Sequence, residues 1–176
     1  YLKNVIINYM QKKPLVSILI ASFNKEKYVK RCIESCLKQN YKNIEIIFYD
    51  DGSKDNSLKI AKSFKKIKII NNEKKKIFSK FNTYPQINSY CEAFKRSKGN
   101  IISFLDSDDF YKRNKVKEIV NHFIKNKRSN IVFDKPIFFY TKDITFHPFK
   151  NVTKNFDKKI WPQFSPQSCI SIKRNV

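Results

Sequence analysis

IISFLDSDDF, residues 101–110, poses the central question. The apolar run Ile101 to Leu105 reads as a strand, and three carboxylates, Asp106, Asp108 and Asp109, follow within four positions. Like charges at that spacing repel, and a cation, or a ligand carrying one, would relieve the cost. The plainer reading is a turn in which Asp109 or Asn114 caps the next helix. Three carboxylates are more than a cap requires. What these acids serve depends on whether the rest of the chain brings other polar groups to the same place.

Upstream, Leu15 to Ala21 (LVSILIA) is a continuous apolar run of the kind shown by strands buried on both faces. Ser22 to Asn24 stop it. Val29, Cys32, Ile33, Cys36 and Leu37 then recur at i, i+3, i+4, i+7 and i+8, one face of a helix. Ile44 to Tyr49 (IEIIFY) reads as a second strand, closed by Asp50-Asp51-Gly52-Ser53, with Ser53 or Asp55 opening the next helix. Leu58, Ala61 and Phe64 mark that helix, and residues 67–70 (IKII) a short third strand. A basic, irregular stretch from Asn71 to Tyr84 precedes a third helical face, Ile87, Tyr90, Cys91 and Phe94. Gly99 ends that helix before the strand at 101–105. Val116, Ile119, Val120, Phe123 and Ile124 predict a fourth helix, and residues 131–133 begin another strand. From 134 the pattern is aromatic and broken by Pro136, Pro148, Pro162 and Pro166, with a last strand-like piece at 168–172 (SCISI).

Apolar strands alternating with amphipathic helices predict an α/β fold, a mostly parallel sheet flanked by helices on both faces. In such sheets ligands bind beyond the carboxyl ends of the strands. That rule selects Ala21–Asn24, Asp50–Ser53 and Asp106–Asp109, the three polar clusters already singled out.

Composition bounds the rest. The chain has 176 residues, about one domain, and 41% apolar with 15% aromatic residues argues for a packed core. With only two glycines, Gly52 and Gly99, each is expected to have a backbone reason. The formal charge of +22 invites polyanions, but the lysines are scattered along the whole chain rather than gathered. They read as a solvated surface that assists an anionic substrate, with no nucleic acid as partner. Cys32, Cys36, Cys91 and Cys169 form no C-x-x-C pair and read as buried, reduced thiols, which suits a cytoplasmic protein. No apolar stretch approaches the length of a membrane span.

The stretch LVSILIASFNKEKYVKRCIESCLKQNYKNIEIIFYDDGSKDNS, followed by KRSKGNIISFLDSDDFYKRNKV, resembles the family-two glycosyltransferases of the GT-A fold. The resemblance is close over residues 14–126 and looser over 127–176. It implies a Rossmann-like nucleotide-diphospho-sugar transferase fold over residues 14–176, with residues 1–13 as an N-terminal extension compatible with a short helix. It also implies that Ala21, Phe23 and Asn24 lie against the donor, with Phe23 touching the base. Asp51 would hydrogen-bond the base, and Asn88 would face the donor. Lys80 or Asn82 lies where some members carry a basic residue toward the nucleotide. In the stretch Asp106-Ser107-Asp108-Asp109, Asp108 would contact ribose or metal. Asp106 or Asp109 would complete a Mn²⁺ or Mg²⁺ site from the three carboxylates Asp106, Asp108 and Asp109. Such an ion would neutralise a diphosphate leaving group.

The implied function is inverting transfer of a sugar, from a UDP-sugar by default, to a saccharide or lipid-linked acceptor in surface polysaccharide synthesis. It would take place in the cytoplasm or peripherally at the inner membrane face. Two departures stand out: Asn71-Asn72-Glu73 lacks the family's Asn-x-Gly, and Phe23 replaces its usual Tyr. The family's catalytic base is expected beyond residue 176, so the acceptor-binding part is expected to be incomplete. Asp134, Asp143, Asp157, His122 and His147 read as surface or structural groups. Three other readings compete. A receiver-type signalling module needs an Asp after its third strand, where this chain has Asn71. A basic polyanion-binding domain leaves the carboxylate cluster without a purpose. A non-catalytic remnant that still binds nucleotide is compatible with every motif.

Overall fold

The structure is a computed structural model that describes residues 13–72, 85–134 and 167–174. Among the described residues two seven-residue strands come first, β1 (Val16–Ser22) and β2 (Ile44–Asp50), joined by helix α1 (Glu26–Leu37). Helix α2 (Ser57–Lys62) leads to β3 (Lys68–Asn71). Helix α3 (Pro85–Lys95) precedes β4 (Ile101–Asp106), and α4 (Lys115–Lys125) precedes β5 (Ile131–Phe133). A single turn of 3-10 helix (Gln167–Cys169) enters β6 (Ile170–Lys173).

Among the described residues six strands form one sheet in the order β3-β2-β1-β4-β6-β5. β1 pairs in parallel with β2 and with β4, and β2 with β3. Alternate residues of the buried strands feed two cores. Val16, Ile18, Ile20, Phe48, Ile101 and Leu105 pack against α1 and α4 (Val29, Cys32, Ile33, Cys36, Val116, Ile119, Val120), with Ala61 of α2. Leu19, Ala21, Ile47, Tyr49 and Ile102 pack on the opposite face against Tyr90 and Ala93 of α3. Burial on both faces is why the strands read as unbroken apolar runs.

The expected α/β architecture and element order hold, while several details depart from the sequence reading or lie outside it, among them Ile124 of α4, which is exposed. The strand at 131–133 is not the next neighbour of β4. β6 inserts between them, antiparallel to both, with Ile102 opposite Ile172 and Val132 opposite Ser171. Among the described residues β5 is therefore an edge, and its Ile131 and Phe133 are exposed. The buried face of α3 is Ser89, Tyr90 and Ala93, whereas Ile87 and Cys91 are exposed. Tyr90 is buried and Phe94 partly buried, so the expected stripe of Ile87, Tyr90, Cys91 and Phe94 is about one residue out of phase. Of the four thiols, therefore, Cys32, Cys36 and Cys169 are buried as expected and Cys91 is not.

Both glycines have the expected backbone reason. Gly52 has φ +77°, a left-handed conformation that favours glycine. At Gly99 a Cβ would lie 2.4 Å from Ser17 Oγ and 2.5 Å from Ser17 N, so only glycine lets the chain pass this close to β1.

Candidate donor site

The strand neighbours of β1 diverge on either side, β2 and β3 one way and β4 the other, so the sheet has its switch point between β1 and β4. Open α/β sheets bind ligands in the crevice there. Register brings the three polar clusters level: Ser22 pairs with Asp50, and Ala21 pairs with Tyr49 and with Asp106. At roughly 4.8 Å between strands, Asp50 and Asp106 stand about 10 Å apart.

On the β2 side the two adjacent acids divide the work. Asp50 is fully buried and folds the turn, accepting from Ser53 N (2.8 Å) and Ser53 Oγ (2.6 Å). Asp51 is half-buried and accepts from Asn72 Nδ2 at 2.9 Å. Asn72, absent from the sequence reading as a site residue, therefore sits beside the acid expected to meet the base. Phe23, 49% exposed at the head of β1, presents an open ring. Asn24 adopts φ +52° and is committed to the loop: its N donates to Ser53 Oγ (3.0 Å) and its Oδ1 accepts from Lys54 N (2.8 Å). It clamps the first two strand ends together, so its contribution is to hold the site's shape.

On the β4 side, Asp106 points to the α3 face, where Tyr90 Oη and Gln86 Nε2 both donate to its Oδ1. Burial, followed by the charges of Asp109 and Asp108, pushes the Asp106 carboxyl up to about 6 against the pull of those two donors. Burial beside Asp106 drives the Tyr90 hydroxyl well above its ordinary range. Ser107 is buried and donates its N to Ala21 O at 3.1 Å. Asp108 is exposed, and its Oδ2 lies 2.6 Å from Lys25 Nζ. That hydrogen bond raises the Lys25 ammonium above the ordinary lysine value. Asp109 accepts from Ser168 Oγ (2.5 Å), which also accepts from Asp106 N (2.9 Å), so the segment before β6 braces the acidic turn.

The end of α1 supports the far side of that turn. Ser35 Oγ accepts from Tyr111 N (3.0 Å), and buried Gln39 donates to Lys112 O (2.8 Å) and accepts from Val116 N (3.1 Å). The Arg31 guanidinium lies 3.5 Å from the centroid of the Phe110 ring.

Asn88 is exposed on α3, between Gln86 and Tyr90, and it is those two neighbours that reach Asp106. Their i, i+4 spacing was the available signal, masked because Tyr90 also reads as core. Lys80 and Asn82, like Asp143, Asp157 and His147, lie outside the described residues. Asp134 is ion-paired with Lys115, whose Nζ also donates to Ser168 O (2.9 Å), a structural role rather than that of a loose surface acid. His122 is exposed.

The three aspartates do not close on one point. Among the described residues, no group of three His, Cys, Asp or Glu side chains is placed to hold a metal ion by itself. Each carboxylate is drawn to a different partner: Asp106 to α3, Asp108 to Lys25, Asp109 to Ser168. The donor set nevertheless fits a hard divalent ion of the kind that takes one or two carboxylates and completes its shell with phosphate oxygens and water. Asp106 and Asp108 each keep an oxygen with no hydrogen-bond partner among the described residues.

Comparison with known proteins agrees with this architecture. The family model described as Glycosyl transferase family 2 matches residues 17–176. An uncharacterized glycosyltransferase of Haemophilus influenzae is 37% identical over 115 residues, covering 64% of this chain and 44% of that protein. The UDP-Glc:alpha-D-GlcNAc-diphosphoundecaprenol beta-1,3-glucosyltransferase WfaP of Escherichia coli is 34% identical over 137 residues, covering 73% of this chain and 48% of its own. The chain thus spans less than half the length of these relatives. Among solved structures, S. aureus TarS 1–349 in complex with UDP superposes with a TM-score of 0.58 at 22% identity, over 68% of this chain and 34% of that one. The mannosyltransferase PcManGT of Pyrobaculum calidifontis, in complex with GDP-Man and Mn²⁺, gives 0.53 at 14% identity, over 72% and 36%. These likenesses carry the fold, which is GT-A, and the family match extends over most of the sequence: the chain belongs to glycosyl transferase family 2.

Proposed function

We propose that this chain is the donor-binding portion of an inverting glycosyltransferase. It would move a sugar from a nucleoside diphosphate sugar, UDP-linked by default, to a saccharide or lipid-linked acceptor in surface polysaccharide synthesis. The observation that carries the reading is the level convergence of an exposed aromatic ring (Phe23), a base-side acid (Asp51) and a phosphate-side acid pair (Asp106, Asp108) at the switch point of the sheet. Asp51 and Asn72 would meet the polar edge of the base while Phe23 covers its face. Ala21 and Ser107, both buried small residues, leave room for the ribose beside the β1–β4 seam. Asn88 and, outside the described residues, Lys80 are proposed to face the donor as well.

Asp106 and Asp108, with Asp109 beside them, would hold Mn²⁺ or Mg²⁺. When bound, that ion supplies charge neutralisation to the departing diphosphate. Supporting this reading, Tyr90 and Gln86 orient Asp106, and Ser168 holds the backbone N of Asp106. The similarity to WfaP, a glucosyltransferase named for UDP-Glc, and to the TarS and PcManGT structures in complex with UDP and with GDP-Man, supports a nucleotide-sugar donor. We place residues 14–176 in this domain and the enzyme in the cytoplasm, peripheral to the inner membrane face. No helix among the described residues is long and apolar enough to cross a membrane.

The test is calorimetric titration of UDP with Mn²⁺, and again with EDTA, on the wild type and on Asp108→Ala. Metal-dependent binding that disappears in the variant is the expected result. An absence of binding to UDP, GDP and TDP under both conditions would refute the donor site and favour the polyanion-binding alternative.

A further inference from the structure

Lys25 was not among the site residues read from the sequence, yet it makes the one ion pair across the switch point among the described residues. Its Nζ reaches from the loop after β1 to Asp108, 83 residues away, at the head of β4. Two of the other ion pairs, Lys38–Glu34 and Lys95–Glu92, are local to one helical turn, and Lys115–Asp134 lies at the foot of α4. The neighbouring acids are satisfied differently. Asp106 and Asp109 accept from the neutral donors Tyr90, Gln86 and Ser168, so Asp108 alone is held by a cation.

The backbone of Lys25 is fixed: its N donates to Ser57 Oγ at 2.8 Å, and Asn24 before it is clamped to Ser53 and Lys54. Its side chain is free by comparison, 39% exposed on a flexible four-carbon stem, and Asp108 is 40% exposed.

We propose that Lys25 is the resident counter-ion of the donor site: its ammonium holds Asp108 while no divalent cation is present, yields that carboxylate to the cation, and then turns to the diphosphate of the donor. The inference rests on the donor-site reading above. An exposed ion pair is weak, so a doubly charged ion can displace it. Two cations cannot share one exposed carboxylate without repulsion. The displaced ammonium, anchored at its backbone beside the strand ends, finds its next anion in the phosphates, which lysine binds as a point charge. Lys25 would thus lower the affinity for metal alone and raise it for nucleotide with metal, so that the site fills with both together.

The experiment titrates Mn²⁺ alone into the 176-residue chain, following the electron paramagnetic resonance signal of free Mn²⁺, for wild type, Lys25→Met and Lys25→Arg. UDP is then titrated at saturating Mn²⁺ by calorimetry. Lys25→Met should bind Mn²⁺ about two- to five-fold tighter, the strength of an exposed ion pair. It should bind UDP about tenfold more weakly, having lost a charge-assisted contact. Lys25→Arg should keep the wild-type Mn²⁺ affinity. Lys25→Gln replaces Lys25→Met if circular dichroism shows that variant unfolded. Opposite signs for metal and nucleotide are not expected of a merely structural lysine. Unchanged or weaker Mn²⁺ binding in the variant, with the wild type binding both ligands, would overturn this inference and leave the donor site standing. Tighter Mn²⁺ with unchanged UDP would overturn the diphosphate half. A wild type that binds neither ligand would overturn both readings.

Discussion

Replacing Asp106 with asparagine should stabilise the ligand-free protein at neutral pH while removing its donor binding. The carboxyl is pushed up to about 6, chiefly by burial and then by the charges of Asp109 and Asp108. An unfolded aspartate titrates near 3.9, so the folded state holds this proton about two units more tightly. The stabilisation from that proton is therefore present below about pH 4 and lost as pH rises through about 6. Two units correspond to about 3 kcal/mol. Asparagine never ionises, and its amide oxygen can still accept from Tyr90 and Gln86. The variant and the wild type should be nearly equal at pH 4 and separate between pH 4 and 6. At pH 7.5 the variant should be more stable by up to about 3 kcal/mol, or roughly 6–12 °C in Tm for a chain of this size. Thermal and urea denaturation followed by circular dichroism, in EDTA, measure this directly. The comparison within each pH cancels the self-repulsion of a chain carrying +22. Equal stability at pH 7.5, or a gap that does not change with pH, would refute the account of Asp106 as a partly buried carboxylate with a raised pKa. Mn²⁺-dependent UDP binding should be lost in the same variant.

Phe23→Ala should weaken UDP by about 1–3 kcal/mol, the value of base–aromatic stacking, and leave the melting temperature nearly unchanged because the ring is half exposed. Gly99→Ala should cost about 1–3 kcal/mol in denaturant titration, since its Cβ would press on the Ser17 backbone. Ser168→Ala leaves Asp106 N without its acceptor and Asp109 without a donor, so it should destabilise by about 1–3 kcal/mol and also weaken Mn²⁺ binding in the same titration. With Ellman's reagent at pH 8, Cys91 should react fast. Cys36, pushed up to about 12 by burial, and Cys169, up to about 11, should stay silent until the protein unfolds, as should buried Cys32.

Much of the fold was readable because its signals are local. A strand buried on both faces writes itself as an unbroken apolar run, and LVSILIA and IISFL did so. Helices α1 and α4 bury most of the residues that their periodicity named, although Leu37 is only partly buried and Ile124 is exposed. Helix α3 was misphased because Tyr90 is both core and site, so that its burial could be matched to more than one stripe. The place of β6 was not readable at all. Four residues of strand pattern carry no statement of which edge they join, and the pairing with β4 spans about 70 residues of sequence.

The site divides along the same line. The sequence by itself determined the alternation of buried strands and helices and the polar stops that follow the strands, and therefore that Phe23, Asp51 and Asp106 to Asp109 would gather at one rim. Those follow from periodicity and from where polar residues interrupt it. Only the tertiary structure decided what each acid touches. It turned Asp50 inward to its own turn and left Asp51 to Asn72, gave Asp106 to Tyr90 and Gln86, and gave Asp109 to Ser168 and Asp108 to Lys25. A hydrogen bond or an ion pair acts over about 3 Å in space, and most of these partners are 16 to 83 residues away along the chain.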